Sequence, residues 1–296
     1  MPFTHVLSLA SEESLIQALD SPAPAANTLA MSVLHKAAAT PADAAILSAM
    51  PRLLAAFIRR WLAAPQVEVG QKGSKVLGDL LDIDCELPPP PPPSVTGGTR
   101  NELVLRKAPG QGKLWRLLFG DKGAYTFLLS LCAGTHPDTA GDAHQLSLAQ
   151  GRLLRILPRL AALDFRAVSR SEFTAVNPAH LTNGHSESDS AASGPRSGDG
   201  ILQFAALRMV NKGDILMHLN LVDFFETFVS LMRITDHSAS KLEVIRALVS
   251  AATAEDATLK EALLTLPDRA VEEEADSLRR WLREVMPGNS VRLAVR

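Results

Sequence analysis

The sequence predicts an all-α protein whose helices come in pairs and stack into an α-solenoid, and composition, periodicity and spacing each point to it. Leu and Ala dominate a chain of 296 residues that is 46% hydrophobic, while aromatic residues are 5% with a single Tyr. Period-two runs of Val, Ile and Thr are absent, so helices are favoured over sheets. Apolar residues instead recur at three- and four-residue steps, the mark of an amphipathic helix. The second helices of successive pairs start near Ala25 and Val67, roughly the 40-residue period of two-helix repeats.

The elements follow in order. Glu12 to Leu19 begins after Ser11, a capping residue, and Ala25 to Ala39 follows Pro22 and Pro24. Ala42 to Leu62 reads as one helix paired with Val67 to Asp82, with Pro41 and Pro65 between elements. In VEVGQKGSKVLGDLLDIDC (Val67 to Cys85), Val69, Gly73, Val76, Leu77, Leu80 and Leu81 fall on one face, and Lys72, Lys75, Asp79 and Asp82 share another. This is the pattern of the inner helix of a HEAT/armadillo-like repeat. Residues 1–87 therefore read as N-terminal helical repeats and 88–101, opening with the prolines Pro88 to Pro93, as a semi-rigid linker.

Middle repeats occupy 102–173, with helices over Leu114 to Phe119, Ala124 to Cys132 and Leu146 to Leu163. In the last of these, Leu146, Leu153, Leu154, Leu157 and Leu160 form the apolar side, and Gln145, Arg152, Arg155 and Arg159 the polar one. Pro158 predicts a kink or break. Residues 174–200 are Ser-, Gly- and Asp-rich, too poor in apolar surface to offset their ordering entropy, and read as a disordered loop. C-terminal repeats fill 201–296: Ile201 to Val210, Asp214 to Ile234, Leu242 to Ala252, Ala257 to Leu266 and Ala270 to Val285. The last opens on Glu272 to Glu274 and closes on Arg279, Arg280 and Arg283, as a helix dipole favours.

Composition also bounds function. Thirty Lys and Arg against 32 Asp and Glu leave no global basic field, which disfavours direct nucleic-acid binding. Cys85 and Cys132 are too few for a disulfide framework and read as small buried hydrophobes. Met1 to Ala10 lacks the pattern of a secretory signal, and no apolar stretch reaches the roughly 20 residues that span a bilayer. The expectation is a cytoplasmic protein, also nuclear, with no membrane partner.

No catalytic pattern emerges. PGQGK (Pro109 to Lys113) has Lys107 and Leu114 where a phosphate loop needs Gly and Ser or Thr, so it reads as a tight turn entering the next helix. His136, Asp138, Asp142 and His144 are metal-ligand types whose spacing fits a polar loop equally well. The Arg100, Arg106, Lys107, Lys113 and Arg116 cluster reads as a solvated turn. No enzyme, cofactor or metal is expected. What remains are the stripes Lys72, Lys75, Asp79 and Arg152, Arg155, Arg159, read either as solvated faces or as a charged surface lining the inner curve of a solenoid and accepting a partner.

VGQKGSKVLGDLLDIDC (Val69 to Cys85), APGQGKLWRLLFGD (Ala108 to Asp121) and HPDTAGDAHQLSLAQGRLLRILPRLAALDF (His136 to Phe165) resemble a fungal family of HEAT-repeat proteins. That family is known both for DNA mismatch repair and as chaperones of proteasome regulatory-particle assembly, related to the animal 26S proteasome non-ATPase regulatory subunit 5. The resemblance implies a non-catalytic scaffold, monomeric before partner binding. It would hold the C-terminal domain of an AAA ATPase subunit, 26S regulatory subunit 7 being the first candidate, as the proteasome base assembles. A scaffold associated with mismatch repair is the alternative.

Because Asn177 to Gly200 lacks apolar anchors, limited proteolysis of the native protein is expected to cut there first. Protection of this segment would mean that it packs against the helices.

Overall fold

The computed structural model describes residues 3–86, 109–173, 198–236 and 238–287. Every named element among them is helical, and one isolated bridge pairs Arg170 with Asp199. The all-α expectation holds. The linker expected at 88–101 and residues 174–197 of the expected loop lie outside the described residues.

Local chemistry starts most helices. In the N-terminal part, α1 (Phe3–Leu7) precedes α2 (Glu12–Asp20), which starts at Ser11, and α3 (Pro24–Leu34), which has Pro at its first turn. A 3₁₀ turn, His35–Ala39, leads to α4 (Pro41–Ser48), capped by Thr40. The side chains of Ser11 and Thr40 each accept a first-turn N–H, satisfying donors that have no partner inside the helix.

The expected single helix over Ala42 to Leu62 is in fact two. Pro51 opens α5 (Pro51–Ala63), bent by 94° from α4. Proline has no N–H for the preceding turn but suits the first turn of a new helix. α6 (Val67–Ile83) follows with every expected apolar position buried.

From residue 109 onward, α7 (Lys113–Trp115) runs into a π turn, Arg116–Gly120, and then α8 (Lys122–Ala133), α9 (Ala143–Leu163) and α10 (Phe165–Ser169). Asp121, Asp142 and Asp164 cap the last three. Pro158 does not break α9, which continues to Leu163. The proline is buried, and packing of α9 on α10 and α12 (Ile215–Arg233) offsets the lost hydrogen bond. α11 (Ile201–Leu207), α13 (Ala239–Thr253), α14 (Ala257–Arg269) and α15 (Glu272–Val285) complete the chain.

Among the described residues one helix is long and apolar enough to cross a membrane by length and composition alone. α12 has 19 residues and a window of mean hydropathy 1.4. Phe225, Phe228, Val229 and Met232 from it are fully buried in the shared core.

The helices pack as pairs and as rows. α2 packs on α3, α5 on α6 and α8 on α9; α2, α5 and α8 contact in succession, as do α3, α6, α9 and α12. α9 is central, touching α5, α6, α8, α10, α11 and α12, so the helices of 3–86, 109–173 and 198–287 share one hydrophobic core.

Side chains from neighbouring helices close the exposed ends of the first row. The Asn27 amide of α3 donates to the carbonyls of Ala18, Leu19 and Ser21 at the end of α2. Gln150 of α9 donates to Cys132 O at the end of α8 and to Met209 O. Arg152 of α9 donates to Trp61 O and Leu62 O, both at 2.9 Å, and to Gln66 O at 3.0 Å, and so holds the α5–α6 turn.

Arg152 therefore departs from its expected place on an exposed polar stripe: it is 8% exposed. Gln145, 8% exposed, is likewise buried and donates to Leu62 O. Periodicity put both residues on the polar side of α9, but that side meets the end of α5, where unpaired carbonyls require donors. A Cβ at Gly70 would lie 2.1 Å from Arg152 Nε, so the arginine needs a bare backbone on α6.

Arg152→Ala removes a charged donor from the buried Trp61 and Leu62 carbonyls and from the part-buried Gln66 carbonyl and is expected to cost about 3 kcal/mol, against roughly 0.5 kcal/mol or less for exposed Arg155→Ala. Urea unfolding measures both. Equal losses would show that the α5–α6 turn does not depend on Arg152.

Candidate partner-binding face

The exposed sides of the 3₁₀ turn, α6, α9 and α12 carry a band of charge. Lys75 and Arg155 are exposed; Lys72, Asp79, Asp82 and Arg159 are half-buried. Of the six residues expected to meet a partner, five reach this surface: Lys72, Lys75, Asp79, Arg155 and Arg159. Arg152 is engaged inside, as described above.

Asp79 is the centre of a network that links three helical elements. Its Oδ2 lies 2.8 Å from His35 Nε2 in the 3₁₀ turn, and its Oδ1 accepts from Arg159 Nη2 of α9 at 2.9 Å. The same arginine nitrogen reaches Asp82 Oδ2 at 3.3 Å. Arg159 lies over Gly78, where a Cβ would stand 2.4 Å from Nη1. Burial alone raises the Asp79 pKa, but the hydrogen bonds and charges of Arg159 and His35 outweigh it and hold the carboxyl below its ordinary value. It stays ionised near neutral pH.

Two shallow depressions flank the network. One, about 530 Å³, is lined by Ser32, His35, Lys36, Lys72, Asp79 and Asp82. The other, about 300 Å³, lies between α9 and α12, with Arg155, Asn220, Asp223 and Glu226 among its lining residues. Lys72, Lys75 and Arg155 have no ion-pair partner among the described residues, whereas Glu226 is paired with Arg269. The face thus offers unpaired cations beside the compensated Asp79, Asp82 and Glu226, with Asp223 an exposed acid that has no ion pair among the described residues.

Sequence reading did not mark His35, Lys36, Asp223 or Glu226. His35 lies 44 residues before Asp79, and nothing in the local pattern of either residue announces the other. Asp82 was on the expected polar side of α6 but not among the expected contact residues.

The other motifs resolve as structure. Gly112 adopts φ +62° as it enters α7, the left-handed conformation that glycine tolerates best. Gly110 N–H donates to Cys85 O and Gly112 N–H to Asp84 O, both at 2.8 Å, so PGQGK is a turn docked on the end of α6. Asp84 Oδ2 accepts the Leu114 N–H at 2.6 Å; burial pushes its pKa up, against the backbone hydrogen bonds that lower it. Asp142 caps α9, and Asp138 lies 3.9 Å from Arg59. Among the described residues no three His, Cys, Asp or Glu side chains group as a metal site. Both cysteines are buried, and burial pushes the Cys132 thiol up to about 12. Arg116 pairs with Glu86 at 2.6 Å.

Comparison with protein-family models, with curated proteins and with solved structures gives no match.

A carboxyl held below its ordinary pKa stabilises the fold fully above the unfolded value and loses that contribution as pH falls through the folded one. The stability gap between wild type and Asp79→Asn is therefore expected to be flat near neutral pH and to shrink below about pH 4. Urea unfolding across pH checks this. A gap that widens on acidification would show that the network does not favour ionised Asp79.

Proposed function

We propose that this chain is a non-catalytic scaffold, an α-solenoid of HEAT-like repeats with inner helices α3, α6, α9 and α12, of which α6, α9 and α12, with the 3₁₀ turn after α3, present a charged face to a protein partner. Succession within that row supports the repeat reading, since stacked repeats contact their neighbours in order and leave one helix of each pair facing a common surface. The observation that carries the function is the set of cations left unpaired there, Lys72, Lys75 and Arg155, beside the ordered Asp79–Arg159 network. Free charges on a preorganised surface steer and select a partner of opposite charge. An aspartate held ionised by an arginine is a poor proton carrier near pH 7, which argues against acid–base chemistry at this centre.

The partner is proposed from the resemblance: the C-terminal domain of a proteasomal AAA ATPase subunit, with regulatory subunit 7 first, held during assembly of the regulatory-particle base. Acidic surface on that domain would complete the match.

The test is titration calorimetry of the ATPase C-terminal domain against wild type and a Lys75→Glu/Arg155→Glu variant. Both positions are exposed, so the melting temperature is expected to hold, while mismatched charge weakens binding by several kcal/mol, on the order of 2 to 5. Unchanged affinity would move the interface elsewhere. No binding by wild type would overturn the chaperone reading.

A further inference from the structure

A second groove lies away from the network, where the end of α9 and the length of α10 meet the α12–α13 turn. It encloses about 660 Å³, within the range of ligand sites. Leu163, Phe165 and Val244 supply apolar lining, and Arg166, Arg170 and Lys241 supply positive charge. No catalytic or partner expectation from the sequence touched it.

Lys241 is the distinctive residue. Its ammonium stands 5.2 Å from the centroid of the Phe165 ring and 2.7 Å from Thr235 Oγ1. That hydroxyl itself donates to Met232 O, so it receives the ammonium as an acceptor. An ammonium has three donors, and the ring and one hydroxyl leave one for an incoming group. Burial lowers the Lys241 pKa and Asp236 partly restores it.

The other charges have a clear balance. Arg166 and Arg170 are exposed and have no ion-pair partner among the described residues. Of the two acids in the lining, Asp164 has one oxygen committed to the Ala167 N–H at the start of α10. Asp236 is exposed beside Lys241. Among the described lining residues three cations face two carboxylates, and the guanidinium fork of arginine suits a carboxylate. Ser240 adds a hydroxyl at the rim, bonded to the Ser238 Oγ that caps α13 by accepting the Lys241 N–H.

We propose that this groove binds an acidic peptide segment in which a carboxylate side chain is followed by an apolar residue. The carboxylate would lie between Arg166, Arg170 and Lys241, and the apolar neighbour against Leu163, Phe165 and Val244. The site is separate from the inner charged face and does not depend on the function assigned to that face.

The experiment is fluorescence anisotropy with the full chain and a fluorescein-labelled hexapeptide alternating Glu and Leu, at low salt. A counterpart with Gln for Glu tests the charge, and an Arg166→Ala/Arg170→Ala variant tests the site. The Glu peptide is expected to bind, and both changes are expected to weaken binding at least about tenfold, with the variant's melting temperature unchanged. Lys241→Met tests the third cation, with its melting temperature read alongside. The Lys75→Glu/Arg155→Glu variant is expected to bind the peptide as wild type does, so failure of this groove and failure of the inner face are told apart. Equal binding of the Gln peptide, or full affinity in the double arginine variant, would overturn the proposal. So would complete displacement by equimolar inorganic phosphate, which would mean that an anion alone is recognised.

Discussion

Helix ends impose the constraint on which the packing depends. The last carbonyls of an α-helix have no internal donors, and a buried end must find them elsewhere. Here the donors come from adjacent helices: Asn27 for α2, Gln145 and Arg152 for α5, Gln150 for α8. Three of these four lie on α9 within eight residues. Moving α9 would uncover the ends of α5 and α8 together, so the pairs are joined by hydrogen bonds of fixed direction as well as by apolar area. Arg152 is the costliest member, because a buried cation without a carboxylate partner carries a desolvation penalty. Burial draws its pKa down to about 10, which still leaves it protonated at neutral pH, and the negative end of the α5 dipole faces the charge.

The glycines of α6 belong to the same device. Gly70 and Gly78 lie under the Arg152 and Arg159 guanidinium groups, and Gly73 lies under the Trp61 ring. Each would otherwise place a Cβ within 2.5 Å of its neighbour, inside any van der Waals contact. Leaving the α6 backbone bare costs helix propensity of about 1 kcal/mol per glycine relative to alanine. In return, two arginines from one helix cross the same neighbour with opposite outcomes. The first turns inward to carbonyls; the second stays at the surface and meets Asp79 and Asp82. The charged face is thus positioned by the packing that makes the core.

This explains which parts of the molecule the sequence revealed. The apolar face of α6 follows from spacing alone, since Val69, Val76, Leu80 and Leu81 need only a 3.6-residue period to be found. The same period assigned Arg152 and Arg159 to one polar side, and it cannot tell an arginine facing water from one facing carbonyls. The difference lies in the end of α5, about 90 residues away. The division of Ala42 to Leu62 was legible in Pro51, which the run of apolar residues around it obscured. Pro158 shows the reverse: local chemistry favoured a kink or a break, and α9 runs through it without a break, packed on both sides. His35 carries no local signal, because its role exists only once the 3₁₀ turn lies against α6.

Under the proposed scaffold function, the state of each charge separates a structural from a recognition role. Asp79, Asp82 and Arg159 compensate one another and hold the 3₁₀ turn, α6 and α9 in register, so a partner meeting them would have to compete with existing pairs. Lys72, Lys75 and Arg155 hold no such pairs, and ordering them against opposite charge breaks nothing in the fold. Selectivity should therefore reside in the unpaired cations, while the paired network keeps the distances between them constant. Rigid spacing of that kind reduces the ordering cost of association, and it lets a surface with little net charge discriminate by pattern rather than by total field.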